Sequence, residues 1–187
     1  MSRKYLGEVF DIHTGGEDNI FPHHECEIAQ SSGGVDRIFC RCWLHRRHIL
    51  VDGKKMSKRE GNFYTLSDLL GKGFTGGEVR YALLGAHYRA QLNFTLEGLV
   101  AAREAIRRMR DFVDDMKSKP EEVDPEDVRK VRDLSAKADA EFRAGLEDDL
   151  NISSALAAVF GFIREAHKAA RTSSGGVSSP SQTEVRR

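Results

Sequence analysis

Apolar residues along this chain follow two periods, and the change from one to the other divides it. Residues 5–12 (YLGEVFDI) alternate like a buried strand and run into His13-Thr14-Gly15-Gly16, where glycines permit a sharp turn or a close approach to another group. A helix is predicted from about Pro22, with Ile28 and Ala29 inward and Ser31-Ser32-Gly33-Gly34 at its end; a second is predicted over 35–46. Ile49-Leu50-Val51 followed by Asp52-Gly53 predicts a short strand entering a tight turn, and 66–84 predicts two short helices separated by Gly71, Gly73, Gly76 and Gly77. Beyond Phe94 the period is helical. Leu99, Ala102, Ile106, Met109, Val113 and Met116 form one stripe; Val128, Val131, Leu134, Ala138 and Phe142 form a second after Asp124-Pro125; Leu156, Val159, Phe160 and Ile163 form a third after Asn151. Three such helices on short connections predict an antiparallel bundle whose stripes are core. The fold class is therefore α/β followed by all-α, ending in a Ser/Gly-rich linker over 172–187.

Composition narrows the function classes. The 187 residues carry 29 Lys+Arg against 29 Asp+Glu, so a polybasic nucleic-acid coating protein is excluded, but not an enzyme with one basic face. Arg103, Arg107, Arg108 and Arg110 offer such a face on the first long helix, although Glu104 and Asp111 interrupt it and favour a solvated surface instead. No segment has the roughly 20 apolar residues of a membrane helix, and no signal-peptide core follows Met1, so a cytoplasmic address is expected. Three cysteines, Cys26, Cys40 and Cys42, point to reduced thiols, and the one-residue gap between the last two suits packing rather than a metal knuckle.

The candidate chemistry lies in front, where five of the seven histidines precede residue 50. His23 and Glu27 are four apart on one helix face, so an imidazole nitrogen and a carboxylate oxygen can meet at a metal ion; the same spacing also suits a first-turn ion pair. Cys26 is a further soft donor or a packing residue. Asp18, beside flexible Gly15-Gly16, suits either a substrate ammonium group or a helix N-cap. The loop Lys54-Lys55-Met56-Ser57-Lys58-Arg59 sets Lys55 and Lys58 around Met56 and Ser57. Mobile lysines there can close on a triphosphate and neutralise departing pyrophosphate, and a plain solvated loop is the alternative.

Four segments in order, FDIHTGGEDNIFPHHECEIAQ, VDGKKMSKREGNF, AHYRAQLNFT and LEDDLNISSALAAVF, together resemble the cysteinyl-tRNA synthetase family of class I aminoacyl-tRNA synthetases over nearly the whole chain. The resemblance implies the C-terminal half of a Rossmann-like catalytic domain over 1–65, a connecting stem over 66–95, a helical bundle over 96–171 and a flexible linker over 172–187. It implies a zinc ion held by His23 and Glu27, a substrate amino group met by Asp18, and a pocket lined by His13. Lys58 would hold the phosphates of ATP, brought with Mg2+, and Lys55, Met56 and Ser57 would share that loop's role. Arg59 stands where the family's KMSKS signature ends in serine, a change that leaves both lysines usable.

The partners implied are cysteine, ATP and tRNA(Cys), with the intact protein a monomer that touches no membrane. The reaction implied is attack of the cysteine carboxylate on the α-phosphate, then acyl transfer to the terminal ribose of tRNA. The resemblance further implies that a HIGH-type phosphate signature, two cysteine zinc ligands and a small anticodon domain fall outside these residues, so the chain is expected to be inactive alone. Two other readings share these features. One is the cysteine ligase of mycothiol biosynthesis, against which ECEIAQ and YRAQLNF weigh; the other is a non-catalytic module that binds tRNA or a protein.

Overall fold

The computed structural model describes residues 2–33, 38–118 and 124–172, and it separates into two compact units, 1–103 and 104–187. The expected linker over 172–187 lies outside the described residues apart from Thr172, which ends the last helix.

The first unit opens with a short helix α1 (Ser2–Leu6), then β1 (Phe10–Gly16), α2 (Glu25–Ser32) and β2 (Cys40–Arg46). β1 and β2 pair in parallel, from Phe10 opposite Cys40 to Gly16 opposite Arg46, with α2 in the connection between them. Two expectations are corrected here. The first strand begins at Phe10 rather than residue 5, because Tyr5 and Leu6 belong to α1 and Gly7 (φ +89°) redirects the chain. Residues 40–46, expected to be helical, form β2: Cys40 is buried where the strand lies against β1, a pairing with residues some thirty positions away that no local period contains. Phe10, Phe39 and Cys40 make the small core of this layer, with the rings of Phe10 and Phe39 edge-on at 4.7 Å.

A second sheet in the order β4-β3-β5 follows, from β3 (Leu50–Val51), β4 (Lys54–Lys55) and β5 (Asn93–Phe94). The expected turn is a two-residue hairpin connection with Asp52 and Gly53 both at positive φ (50° and 75°), the combination that matches the twist of the flanking strands. α3 (Leu66–Gly71) and α4 (Gly76–Leu84) are the two short helices, each begun by a capping box, Thr65 with Asp68 and Thr75 with Glu78. Their inner faces join Val51, Phe94 and Leu99 in the main core of the unit, where Val51 and Leu99 have no exposed surface.

The three long helices are α5 (Leu96–Lys117), α6 (Pro125–Glu147) and α7 (Ile152–Thr172). Asp124 caps α6 through a bond accepted from the Glu126 amide, and Pro125 occupies the first turn. In the second unit α6 and α7 form an antiparallel hairpin, drawn so close at the turn that the Gly145 backbone lies against Ala155. The stripes follow the periodic reading at Leu99 and Ala102, both buried, and depart from it further along. Phe112, not Val113, is buried on α5, edge-on to Phe162 and His167, while Val113 is 46% exposed. On α7 the buried positions are Ala155, Ala158 and Ala166, small residues that let the helices approach, and the larger Leu156, Val159, Phe160 and Ile163 are half-buried.

Candidate functional site

The histidine-rich segment folds into one cluster because β1, α2 and β2 are consecutive and short. His13 leaves β1, His23 and His24 end the irregular turn over Ile20–His24, Glu27 stands in the first turn of α2, and Trp43 and His45 rise from β2. Within that turn Phe21 is extended (φ −135°, ψ 133°) and its bond to Pro22 is cis. The Glu27 carboxylate is the hub. One oxygen lies 2.8 Å from His13 Nε2 and the other 3.6 Å from His23 Nε2. His13, His24 and Glu27 each present a ligand-type atom within 4.8 Å of the others.

His24 is the buried member at 4% exposure, its Nδ1 2.8 Å from His45 Nε2, so one of those two nitrogens carries a proton and the other a lone pair. Burial holds its pKa below the ordinary 6.5, and the neighbouring His13 and His45 imidazoles add to this while Glu27 opposes it. Burial and the two imidazoles favour the neutral form of His24. Trp43 packs edge-on to His13 at 4.8 Å and stacks nearly parallel to His45 at 6.0 Å, walling the cluster with an apolar face. The paired glycines have a packing purpose: a Cβ at Gly15 would stand 2.6 Å from His24 Cε1, and one at Gly16 would overlap the Asp18 carboxylate. Asp18 itself caps no helix; its Oδ1 lies 3.2 Å from His48 Nε2.

The structure thus gathers His13, His23 and Glu27 from the expected residues and adds His24, His45 and Trp43. The doublet His23-His24 was visible in the sequence, but which ring turns inward depends on β2. Cys26 is exposed on α2, Cys40 is buried with its thiol 3.0 Å from the Cys42 carbonyl, and Cys42 is exposed.

The lysine loop leaves β4 with Lys55 and Lys58 exposed, whereas Met56 packs against the main core and anchors the loop there. Lys58 Nζ sits 5.5 Å above the Phe63 ring. Of the basic face on α5, Arg103 bonds Glu78 and the Gly73 carbonyl, and Arg107 bonds Glu104 and Asp111. Among the described residues no helix is long and apolar enough to cross a membrane.

Residues 1–104 match the family model described as tRNA synthetases class I (C) catalytic domain, and 141–185 match the DALR domain. The chain is 53% identical over 167 residues to a cysteine--tRNA ligase of Chlamydia muridarum and 50% identical over 166 residues to one of Protochlamydia amoebophila. Each match covers 88% of this chain and 34% of the relative, so the chain spans about a third of the length of these curated relatives. Among solved structures, an Agrobacterium radiobacter K84 LeuRS in a ternary complex with tRNA has a TM-score of 0.64 at 21% identity, covering 87% of this chain and 23% of that one. A Mycobacterium tuberculosis methionyl-tRNA synthetase in complex with methionyl-adenylate has 0.58 at 19%, covering 85% and 33%. These two likenesses concern the fold.

Proposed function

The chain belongs to the family of class I (C) tRNA synthetase catalytic domains, and on that premise we propose that the polypeptide carrying it is a cysteine--tRNA ligase. It would activate cysteine with ATP and charge tRNA(Cys), acting as a cytoplasmic monomer. The observation that carries this reading is the convergence of His13, His23 and His24 on the Glu27 carboxylate at the start of α2.

The donor set fits zinc. Imidazole nitrogens and a carboxylate oxygen are its ordinary hard-to-borderline ligands, Glu27 already orders two imidazoles, and the apolar wall of Trp43 limits water. His23 and Glu27 would hold the ion, with His13 orienting the carboxylate and His24, bonded to His45, closing the pocket behind it. When bound, zinc supplies selection of a thiol sulfur over the hydroxyl of serine, which an apolar pocket alone discriminates weakly.

The rest falls to side chains of this chain. Asp18 accepts the substrate ammonium group, and His48 beside it holds its carboxylate in place. With the amino end fixed there, the carboxylate of cysteine is free to attack the α-phosphate of ATP, breaking the bond to pyrophosphate and forming cysteinyl-adenylate. Lys58 and Lys55 neutralise the charge that grows on the leaving pyrophosphate, with Met56 and Ser57 shaping the loop and Mg2+ accompanying the nucleotide. A hydroxyl of the terminal tRNA ribose then displaces AMP from the acyl carbon.

The test is cysteine-dependent ATP–pyrophosphate exchange and tRNA(Cys) charging by the polypeptide that carries this chain. Glu27→Gln, which keeps the shape and removes the charge, should lower zinc content and cysteine-over-serine selectivity at least tenfold. Exchange driven by another amino acid, or selectivity untouched by Glu27→Gln, would overturn the reading.

A further inference from the structure

Asn62 lies outside the lysine pair, yet its side chain makes more bonds to the lysine loop than any other described residue. Its Oδ1 accepts from the Ser57 amide at 2.9 Å, and its Nδ2 donates to the Lys55 carbonyl at 3.1 Å and reaches the Val51 carbonyl at 3.5 Å. Lys55 C=O and Ser57 N–H flank Met56 on one edge of the backbone, the two groups that a neighbouring antiparallel strand would pair. Lys55 is the last residue of β4 and its carbonyl lies on the edge turned away from β3, so the Asn62 carboxamide, which carries a donor and an acceptor as a peptide unit does, pairs that outer edge just past the strand.

At the other end of the segment the Asn93 Oδ1 accepts from the Gly53 amide at 2.7 Å and ties the hairpin turn to β5. Between these two asparagines the chain is pinned at the turn and at Met56, and Lys58 follows Ser57 directly. From this geometry we propose that Asn62 is the positioning residue of the loop. By bracketing Met56 it sets the separation and direction of Lys55 and Lys58, and so the place at which a nucleotide triphosphate is met. The inference rests on the ATP-binding reading of the loop for its purpose, but not for the brace itself.

The two parts are tested separately. For the brace, amide hydrogen exchange is followed on this 187-residue chain. Asn62→Ala should speed exchange at Ser57 about tenfold or more, since about two net hydrogen bonds are lost, while Leu99 in the core is unchanged. Asn62→Asp keeps an acceptor for Ser57 and loses the donor to Lys55, and should fall between. For the purpose, ATP–pyrophosphate exchange by the polypeptide carrying the chain should lose about tenfold or more in kcat or gain as much in KM for ATP, with KM for cysteine unmoved and partial rescue in Asn62→Asp.

Unchanged exchange at Ser57 in both variants overturns the brace. A freed Ser57 with unaltered ATP kinetics overturns the positioning role. A wild-type polypeptide that carries out no ATP-dependent exchange overturns the ligase reading instead, and the amide measurement still decides the brace.

Discussion

A methyl group added at Gly15 would meet His24 Cε1 at 2.6 Å and Nε2 at 2.9 Å, with Asn19 Nδ2 at 3.1 Å on its other side. The imidazole cannot retreat without breaking its 2.8 Å bond to His45 or entering the Trp43 ring, 5.0 Å away. Gly15→Ala is therefore expected to cost about 1–3 kcal/mol in denaturant unfolding, the range for overpacking a filled site. Its nitrogen NMR spectrum should show the His24–His45 pair disrupted; an unchanged pair would mean that the cluster is looser than its distances imply. At this scale the sequence was partly legible. The i, i+4 spacing of His23 and Glu27 and the lysine loop were readable because the chemistry is local. His24, His45 and Trp43 were not, because their meeting depends on the pairing of β1 with β2.

Among the elements, α4 and α5 are joined in the first unit by an ion pair whose carboxylate is nearly buried. Glu78 caps its own helix through the Thr75 amide and receives Arg103 Nε at 3.1 Å, while Arg103 also donates to the Gly73 carbonyl and covers the Phe74 ring. The Arg103 guanidinium first, then the Thr75 amide, holds the Glu78 carboxyl below the ordinary 4.5, against the opposing effect of burial. A carboxyl depressed in the folded state stabilises that state above its unfolded value. The contribution is thus complete above pH 4.5 and lost as pH falls below it through the folded value. Arg103→Met should lower stability at pH 7 by about 2 kcal/mol, since it leaves a nearly buried carboxylate with only its cap. It should also flatten the fall in stability below pH 4.5, which urea titrations across pH would show. In the second unit Gly145 is the tight point: a Cβ there would stand 2.8 Å from the backbone nitrogen of Ala155, an atom that no rotamer can move. Gly145→Ala should cost about 1–3 kcal/mol by calorimetry, against much less at Gly161, where nothing lies within 4 Å. Long helices declared themselves through period, Asp124-Pro125 and Asn151, since their hydrogen bonds are local. Strand β2 did not, since a short run of mixed Cys, Trp and Leu fits either period until its partner is known.

Across the whole molecule the two units differ in what protects them. The first carries a parallel sheet of only two strands, an arrangement that in folded proteins is buried on both faces. Here Ile12 is 62% exposed, Ile38 68% and Phe21 76%, so this layer contributes apolar surface to water as well as to a core. Its own core is Phe10, Phe39 and Cys40, with Ile28 and Trp43 packed on them. Opposed to this, the α6–α7 hairpin closes through local contacts and the main core of the first unit is centred on fully buried Val51 and Leu99. The layer that holds the histidine cluster should then be the first to open. Trp43, the single tryptophan, stands within it and reports on it alone. In guanidinium titrations of this chain the Trp43 fluorescence transition should precede the loss of helical circular dichroism, and amides of β1 and β2 should exchange faster than those of Leu99 and its neighbours. Metal bound at Glu27 should narrow the gap, because an ion that binds only the folded cluster stabilises that layer and not the helices. Coincident transitions, equally shifted by zinc, would show instead that the two units unfold as one and that the exposed apolar surface costs the chain nothing.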